Sequence, residues 1–223
     1  VNVVSEGFPE YFKKEGIDTS NWSFFPNGVD QEFTTIGIKK DVVLKKIKTI
    51  LYAGNIGRAQ GLEAILPDVA KKLGKNYNFL VVGDGRMKVV LEERLKYENI
   101  DNVEILPPVR REKLIDFYQN ADILFLHLNN IPFSRRVLPS KIFEYIASGR
   151  HIVAGLSGYS AKFLNNNTPY AAVFDPGNVD QCVNFIEKAE SLKIDKDKID
   201  IFIKEYAREK IMKKMAAHIL ALV

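Results

Sequence analysis

Between residues 49 and 174, short apolar runs alternate with amphipathic segments of about a dozen residues. This alternation is typical of strands joined by crossover helices, the arrangement that builds a parallel sheet. The predicted strands lie at 49–53, 79–82, 103–106, 123–128, 152–154 and 171–174. The predicted helices lie at 62–73, 87–97, 112–119, 138–149 and 160–164, and the chain after 174 is predicted to be helical to residue 223. The sequence therefore predicts an α/β fold with a doubly wound, Rossmann-like parallel sheet.

The first part of the chain precedes this alternation. We predict a strand at 1–5, a helix at 6–15 and a strand at 22–25, followed by a turn in which Gly28 can adopt a positive φ. Residues 29–46 give no clear pattern. Because an apolar strand begins at the first residue, we expect further sequence upstream of it.

Four predicted loops leave the carboxyl ends of strands, at 54–61, 83–86, 107–110 and 127–139. In an open α/β sheet, ligands bind at that edge. Glycines in the first two loops allow a phosphate or a ribose to approach the backbone closely. The first loop lacks the Gly-Lys-Ser/Thr ending of a P-loop, which argues against an ATPase. The second loop lacks the third glycine of the dinucleotide fingerprint, which leaves a dehydrogenase as a distant alternative.

The most informative predicted helix lies at 138–149, with the sequence LPSKIFEYIASG. Ser140 suits its start and Gly149 its end. Lys141 and Glu144 lie one turn apart, on a face different from the apolar stripe. A cation in the first turn suits a diphosphate, and a carboxylate one turn later can accept hydrogen bonds from sugar hydroxyls. The same spacing also fits a solvent-exposed ion pair.

Composition excludes several classes of protein. The 32 basic and 28 acidic residues are spread along the chain and give a net charge of +4, so no nucleic-acid-binding surface is expected. The single cysteine, Cys182, excludes a disulfide framework. No apolar run approaches the roughly 20 residues that span a bilayer, and no signal peptide is evident. His127 ends a predicted strand at the ligand edge, but a lone histidine is more often a packing residue, and no metal site is predicted.

Taken together, these motifs resemble the group-1 family of retaining glycosyltransferases, which have the GT-B fold. The sequence YAGNIG at 52–57 resembles the first phosphate loop of the family, and VGDG at 82–85 resembles its second glycine turn. PSKIFEYIASG at 139–149 resembles the branch that transfers sugars in bacterial surface-polysaccharide assembly.

The resemblance implies that the chain is one half of a GT-B glycosyltransferase. Residues 1–29 would end the acceptor domain and link it to the next domain, and 30–200 would form the nucleotide-sugar donor-binding domain. Residues 201–223 would form a C-terminal helix that packs back against the first domain. The acceptor domain would lie outside this chain, so we expect the chain alone to bind the donor without transferring the sugar.

The resemblance also implies roles for single residues. Glu144 would bind the ribose hydroxyls, Lys141 and Arg58 would hold the diphosphate as catalytic cations, and the base would lie near Gly83. The other implied substrate-binding residues are Gly57, Ser140, Arg110 and Arg136. No cofactor or metal is implied beyond the nucleotide sugar, which is a co-substrate.

The function implied is transfer of a sugar from a nucleotide-diphosphate sugar to an acceptor saccharide or lipid-linked saccharide. The implied location is the cytoplasm, at the inner face of the cell membrane. Two alternatives remain open. One is a nucleotide-sugar 2-epimerase of the same fold. The other is a non-catalytic regulatory module, suggested because Arg136 stands eight residues before Glu144, where the family often has a first glutamate.

Overall fold

Eight strands and nine α-helices make up the parts of the computed structural model that are described, residues 1–35 and 46–221. The strands are β1 (Asn2–Val3), β2 (Ser23–Phe24), β3 (Lys48–Ala53), β4 (Tyr77–Val82), β5 (Val103–Leu106), β6 (Ile123–His127), β7 (His151–Gly155) and β8 (Ala171–Phe174). The helices are α1 (Pro9–Lys14), α2 (Leu62–Leu73), α3 (Lys88–Tyr97), α4 (Arg111–Asn120), α5 (Lys141–Ala147), α6 (Gly158–Asn167), α7 (Val179–Lys188), α8 (Lys196–Tyr206) and α9 (Arg208–Leu220).

Six of the strands form one parallel sheet in the order β5-β4-β3-β6-β7-β8. The chain moves outward from β3 to β5 and then returns to place β6 on the other side of β3. The order therefore reverses between β3 and β6, and such a switch point is where an open α/β sheet forms a crevice for ligands.

Apolar side chains on both faces of this sheet explain why helices cover both. On β3, Ile50 and Tyr52 belong to one buried cluster, which also contains side chains of α2, α3 and α7. Leu51 and Ala53, which alternate with them, belong to a second cluster with side chains of α4, α5, α6 and α8. The prediction of an α/β fold with a doubly wound parallel sheet is confirmed.

The helix predicted at 138–149 is shorter in the structure, where α5 covers Lys141–Ala147. Ser140 precedes it, but its side chain makes no capping hydrogen bond, so that part of the prediction is wrong. Gly149 has a φ of 62°, a left-handed conformation that ends the helix as predicted.

The chain after β8 is largely helical, as predicted, and its helical part is divided into three α-helices. Between α8 and α9, Ala207 takes an extended conformation and forms a parallel bridge with Val29. The Val29 N–H donates to the Tyr206 carbonyl (2.7 Å), and the Arg208 N–H donates to the Val29 carbonyl (2.9 Å). These two bonds replace hydrogen bonds that a continuous helix would make. The predicted helical end at 222–223 lies outside the described residues.

The N-terminal segment contains less regular structure than predicted. The strand predicted at 1–5 is only the two residues of β1, which pairs in parallel with β2. Most of the patternless stretch at 29–46 lies outside the described residues, apart from a 3-10 turn at Gln31–Thr35. Ser23 lies against α9, where its hydroxyl is 2.6 Å from Nε2 of His218. The division into domains at residues 29 and 200 stays a prediction.

No helix within the described ranges is both long enough and apolar enough to cross a lipid bilayer.

Candidate functional site

The loops that follow β3 and β4 pack against each other through their backbones. The Ile56 N–H donates to the Asp84 carbonyl (2.7 Å), and the Met87 N–H donates to the Ile56 carbonyl (2.9 Å). A Cβ on Gly83 would lie 1.8 Å from the carbonyl oxygen of Gly54, closer than any real contact. This backbone packing, which the sequence did not predict, requires glycine at position 83.

Three of the four predicted loops, together with Lys141, enclose a cleft of about 290 Å³ at the carboxyl ends of β3, β4 and β5. Its lining residues are Ala53, Gly54, Asn55, Val82, Gly83, Asp84, Pro108, Val109, Leu114 and Lys141. Val82, Val109 and Leu114 make part of it apolar, as suits a flat aromatic ring. Asp84 and Lys141 add charged groups to its wall. The cleft therefore combines an apolar surface with a cation.

Tyr145 fixes α5 above the point where the strand order reverses. Its hydroxyl accepts from the Ala53 N–H at 3.3 Å and donates to the Phe125 carbonyl at 3.3 Å. Those two groups belong to β3 and β6, whose ladder pairs Leu51 with Leu124 but is not continued to Ala53. The phenol thus bridges two strands as they separate, and it ties α5 to both of them.

Lys141, Glu144 and Tyr118 form one hydrogen-bonded cluster next to the cleft. Lys141 Nζ lies 3.0 Å from Oε2 of Glu144, and the Tyr118 hydroxyl donates to the same oxygen at 2.7 Å. Lys141 Nζ also donates to the Tyr118 hydroxyl at 3.4 Å. The side chains of Lys141 and Glu144 are only 24% and 13% exposed. The pair is therefore largely buried, unlike the solvent-exposed pair that the spacing also allowed.

Tyr118 was not among the residues singled out from the sequence. It is fully buried on α4, with its ring 5.5 Å from that of Phe33 and 5.6 Å from that of Tyr145. Burial, and the nearby Tyr145 and Glu144, raise the pKa of Tyr118 well above its usual value, so the phenol keeps its proton and donates. Nothing in the spacing of α4 links this residue to Glu144.

Arg150 supports the end of α4 behind Tyr118. Its guanidinium donates to the carbonyls of Tyr118 (3.1 Å) and Gln119 (3.0 Å), which belong to the last turn of that helix. Carbonyls in the last turn lack partners within the helix, so the arginine provides donors that the helix cannot. Burial lowers the pKa of Arg150, although the charge of Asp122 partly opposes this.

The first glycine loop carries two of the predicted phosphate ligands, and neither lines the cleft. Arg58 is exposed, and its side chain makes no hydrogen bond or ion pair with any residue in the described ranges. Gly57 is buried beneath a hydrogen bond between the side chains of Asn55 and Gln60 (3.1 Å). The roles predicted for Arg58 and Gly57 stay predictions.

Arg110 and Arg136 are also not among the residues that line the cleft. Arg110 is exposed at the start of α4, beside the cleft residue Val109. The guanidinium of Arg136 instead stacks on the ring of Tyr11, 3.7 Å from its centroid, and the Arg136 carbonyl accepts a hydrogen bond from the Ser5 hydroxyl. The structure therefore brings together Gly83, Lys141 and Glu144, and it places Arg136 against the N-terminal segment.

His127 holds the first glycine loop in place. It is fully buried, with Nδ1 2.6 Å from the Gln60 carbonyl, while Nε2 accepts from the Gly177 N–H at 3.1 Å. This pattern assigns the proton to Nδ1, and burial lowers the pKa of the ring, so the histidine is neutral. Both nitrogens are occupied, which is the packing role expected of a lone histidine. Across residues 1–35 and 46–221, no group of three His, Cys, Asp or Glu side chains is placed to hold a metal ion.

Comparison with known families identifies the chain. The model of a family described as glycosyl transferases group 1 matches residues 36–210. The chain belongs to the group-1 glycosyltransferase family. The match includes the whole six-stranded sheet, and it confirms the family to which the motifs pointed.

Two relatives show how much of a group-1 protein this chain represents. The "Putative colanic acid biosynthesis glycosyl transferase WcaI" of Escherichia coli (strain K12) is 25% identical over 225 residues, covering 96% of this chain and 54% of that protein. The 2-deoxystreptamine N-acetyl-D-glucosaminyltransferase of Niallia circulans is 24% identical over 175 residues, covering 77% of this chain and 42% of that protein. The chain thus spans about half the length of these group-1 relatives.

A solved structure shows the same architecture. The crystal structure of Anabaena HepE in complex with UDP matches with a TM-score of 0.78 at 13% identity, over 99% of this chain and 63% of that chain. At this identity the likeness concerns the fold alone. The α/β sheet is therefore that of the GT-B glycosyltransferases, as expected for this family.

Proposed function

We propose that this chain is the donor-binding half of a retaining glycosyltransferase that uses a nucleotide-diphosphate sugar in bacterial surface-polysaccharide assembly. The observation that carries the proposal is the position of the Lys141–Glu144 pair. It lies at the rim of a partly apolar cleft, at the switch point of the sheet. The name of the WcaI relative supports the pathway, and the UDP in the HepE structure supports a uridine nucleotide as the first ligand to test.

Each part of the cleft suits one part of such a donor. The base would lie on the apolar wall between Gly83 and Val109, and Glu144 would accept hydrogen bonds from the ribose hydroxyls. Lys141 would face the diphosphate. Transfer of the sugar leaves negative charge on that diphosphate, so a cation already fixed beside it lowers the barrier. Arg58 is exposed on the neighbouring loop and would add a second cation.

The acceptor would bind through residues outside this chain. Because the chain spans about half the length of its relatives, we propose that the remaining half supplies the acceptor site and that this chain binds the donor without transferring the sugar. The acceptor would be a saccharide or a lipid-linked saccharide. The enzyme would act in the cytoplasm at the inner face of the membrane, where the exposed lysines of α9 could meet anionic lipid. The family match favours transfer over the epimerase and regulatory alternatives.

Calorimetric titration of the 223-residue chain with UDP, GDP and ADP tests this proposal. We expect one diphosphate to bind, and we expect Glu144→Gln to weaken that binding by about 1 to 3 kcal/mol through loss of charge-assisted hydrogen bonds. Glu93→Gln is the matched control, because Glu93 is exposed on α3 and is not among the cleft residues. Absence of binding by all three diphosphates, or equal binding by wild type and Glu144→Gln, would contradict the proposal.

A further inference from the structure

The two oxygens of the Glu144 carboxylate have different surroundings. Oε2 accepts from both Lys141 Nζ (3.0 Å) and the Tyr118 hydroxyl (2.7 Å). Oε1 accepts no hydrogen bond from any residue in the described parts of the chain, and it is not among the buried atoms that lack a partner. One oxygen is thus held by two donors, while the other has no donor among the described residues.

The two donors to Oε2 differ in how free they are to move. Lys141 has a flexible stem and is the one basic side chain among the described residues that line the cleft. The ring of Tyr118 is fully buried between Phe33 and Tyr145, and Arg150 holds its backbone carbonyl. A phosphate group can therefore attract Lys141 away from Glu144, but it cannot displace Tyr118.

We propose that Tyr118 is a positioning residue for donor recognition: its hydroxyl fixes Oε2 of Glu144 so that Oε1 faces the ribose hydroxyls of the nucleotide. Lys141 can then bind the diphosphate while the Glu144 carboxylate keeps its position. This inference rests on the proposed function, because it takes Glu144 to be the ribose ligand. It adds a residue from α4 to a site otherwise built from loops and α5.

Comparison of UDP with 2′-deoxy-UDP tests the role of Tyr118. Tyr118→Phe keeps the buried ring and removes only the hydroxyl. We expect it to bind UDP roughly 5- to 30-fold more weakly than wild type, and we expect its preference for UDP over 2′-deoxy-UDP to shrink. Loss of packing alone would weaken the binding of both ligands equally. A change in the preference for UDP therefore distinguishes a positioning role of Tyr118 from a purely structural one.

Tyr170→Phe is the matched control. Tyr170 is also fully buried, and its hydroxyl donates to the backbone of α5, at the Ile146 carbonyl (2.8 Å), without touching Glu144. We expect this variant to keep the wild-type preference for UDP over the deoxy ligand. Tyr118→Phe in the Glu144→Gln background should cause no further loss, because the group that it positions is already changed.

A second variant tests the inference even if Tyr118→Phe fails to fold. In Lys141→Met, Tyr118 still holds Glu144, so overall affinity should fall while the preference for UDP over 2′-deoxy-UDP persists. Loss of that preference in Lys141→Met, or a wild-type preference in folded Tyr118→Phe, would overturn the role of Tyr118. If wild type binds no diphosphate, the proposed function fails. If Glu144→Gln is weakened and Tyr118→Phe is not, only this inference fails.

Discussion

Gly83 and Gly54 lie on different loops, yet a Cβ on Gly83 would come within 1.8 Å of the Gly54 carbonyl oxygen. Backbone atoms on both sides prevent relief by a side-chain rotation. We therefore expect Gly83→Ala to separate the two loops and to lower the free energy of unfolding by about 3 kcal/mol or more. Urea unfolding followed by circular dichroism measures this change.

Gly54→Ala is the control for that substitution. A Cβ at Gly54 would meet only side-chain atoms, 3.3 Å from the Tyr52 hydroxyl and 3.8 Å from Cε of Lys141. We expect the cost to be less than half of that for Gly83→Ala. Equal costs would show that glycine flexibility, and not the loop contact, determines both.

We predict that the fold loses stability in acid because of His127. The folded chain keeps this histidine neutral because burial lowers its pKa below the ordinary value of 6.5. The unfolded chain takes up the proton below that pH and so binds more protons than the folded chain. The free energy of unfolding should therefore fall as the pH drops below 6.5, by at most about 1.4 kcal/mol per pH unit for this group.

Urea unfolding between pH 8 and pH 5 checks this dependence. His127→Asn should be less stable at pH 8 but should lose part of the acid slope, since the amide does not titrate in this range. Asn102→Ala serves as the control, because it removes a hydrogen-bonding side chain that does not titrate, and it should keep the slope. An unchanged slope in His127→Asn would show that other groups cause the acid sensitivity.

Arg150→Lys should destabilise the fold although the charge is kept. A lysine cannot supply the planar pair of donors that serves the Tyr118 and Gln119 carbonyls together. We expect a loss of about 1 to 3 kcal/mol in the free energy of unfolding. Arg111→Lys, at a half-exposed arginine that pairs with Asp30, should cost less, because lysine keeps the charge beside the carboxylate. Similar losses in both variants would contradict the capping role of Arg150.

Arg136→Gln should weaken packing of the N-terminal segment and leave UDP binding unchanged. Its guanidinium lies 3.7 Å from the centre of the Tyr11 ring, and a cation–π contact of this kind contributes about 0.5 to 2 kcal/mol. Thermal unfolding and calorimetric titration measure the two effects separately. Weaker UDP binding by this variant would favour the substrate-binding role predicted from the sequence.

The six-stranded sheet could be predicted because its strands are short runs of apolar residues, which is the pattern of strands buried in a core. All five residues of β6, ILFLH, are buried, as in a strand covered on both faces. The nearness of Gly83, Val109 and Lys141 could be predicted as well, because parallel strands gather their carboxyl ends at one edge.

Contacts set by packing between distant elements could not be predicted. Tyr118 reaches Glu144 only because α4 lies beside α5, and no local pattern encodes that contact. The break at Ala207 is similar. Alanine favours a helix, so the extended conformation there depends on pairing with Val29 and not on local propensity.

The hydrogen bond between Ser23 and His218 joins residues 195 positions apart in the chain. At the usual rate of translation, Ser23 is synthesised roughly 10 to 40 s before its partner. The central sheet can assemble during this interval, while the N-terminal segment lacks the helix against which it packs. That segment therefore completes its native contacts only after α9 has been synthesised.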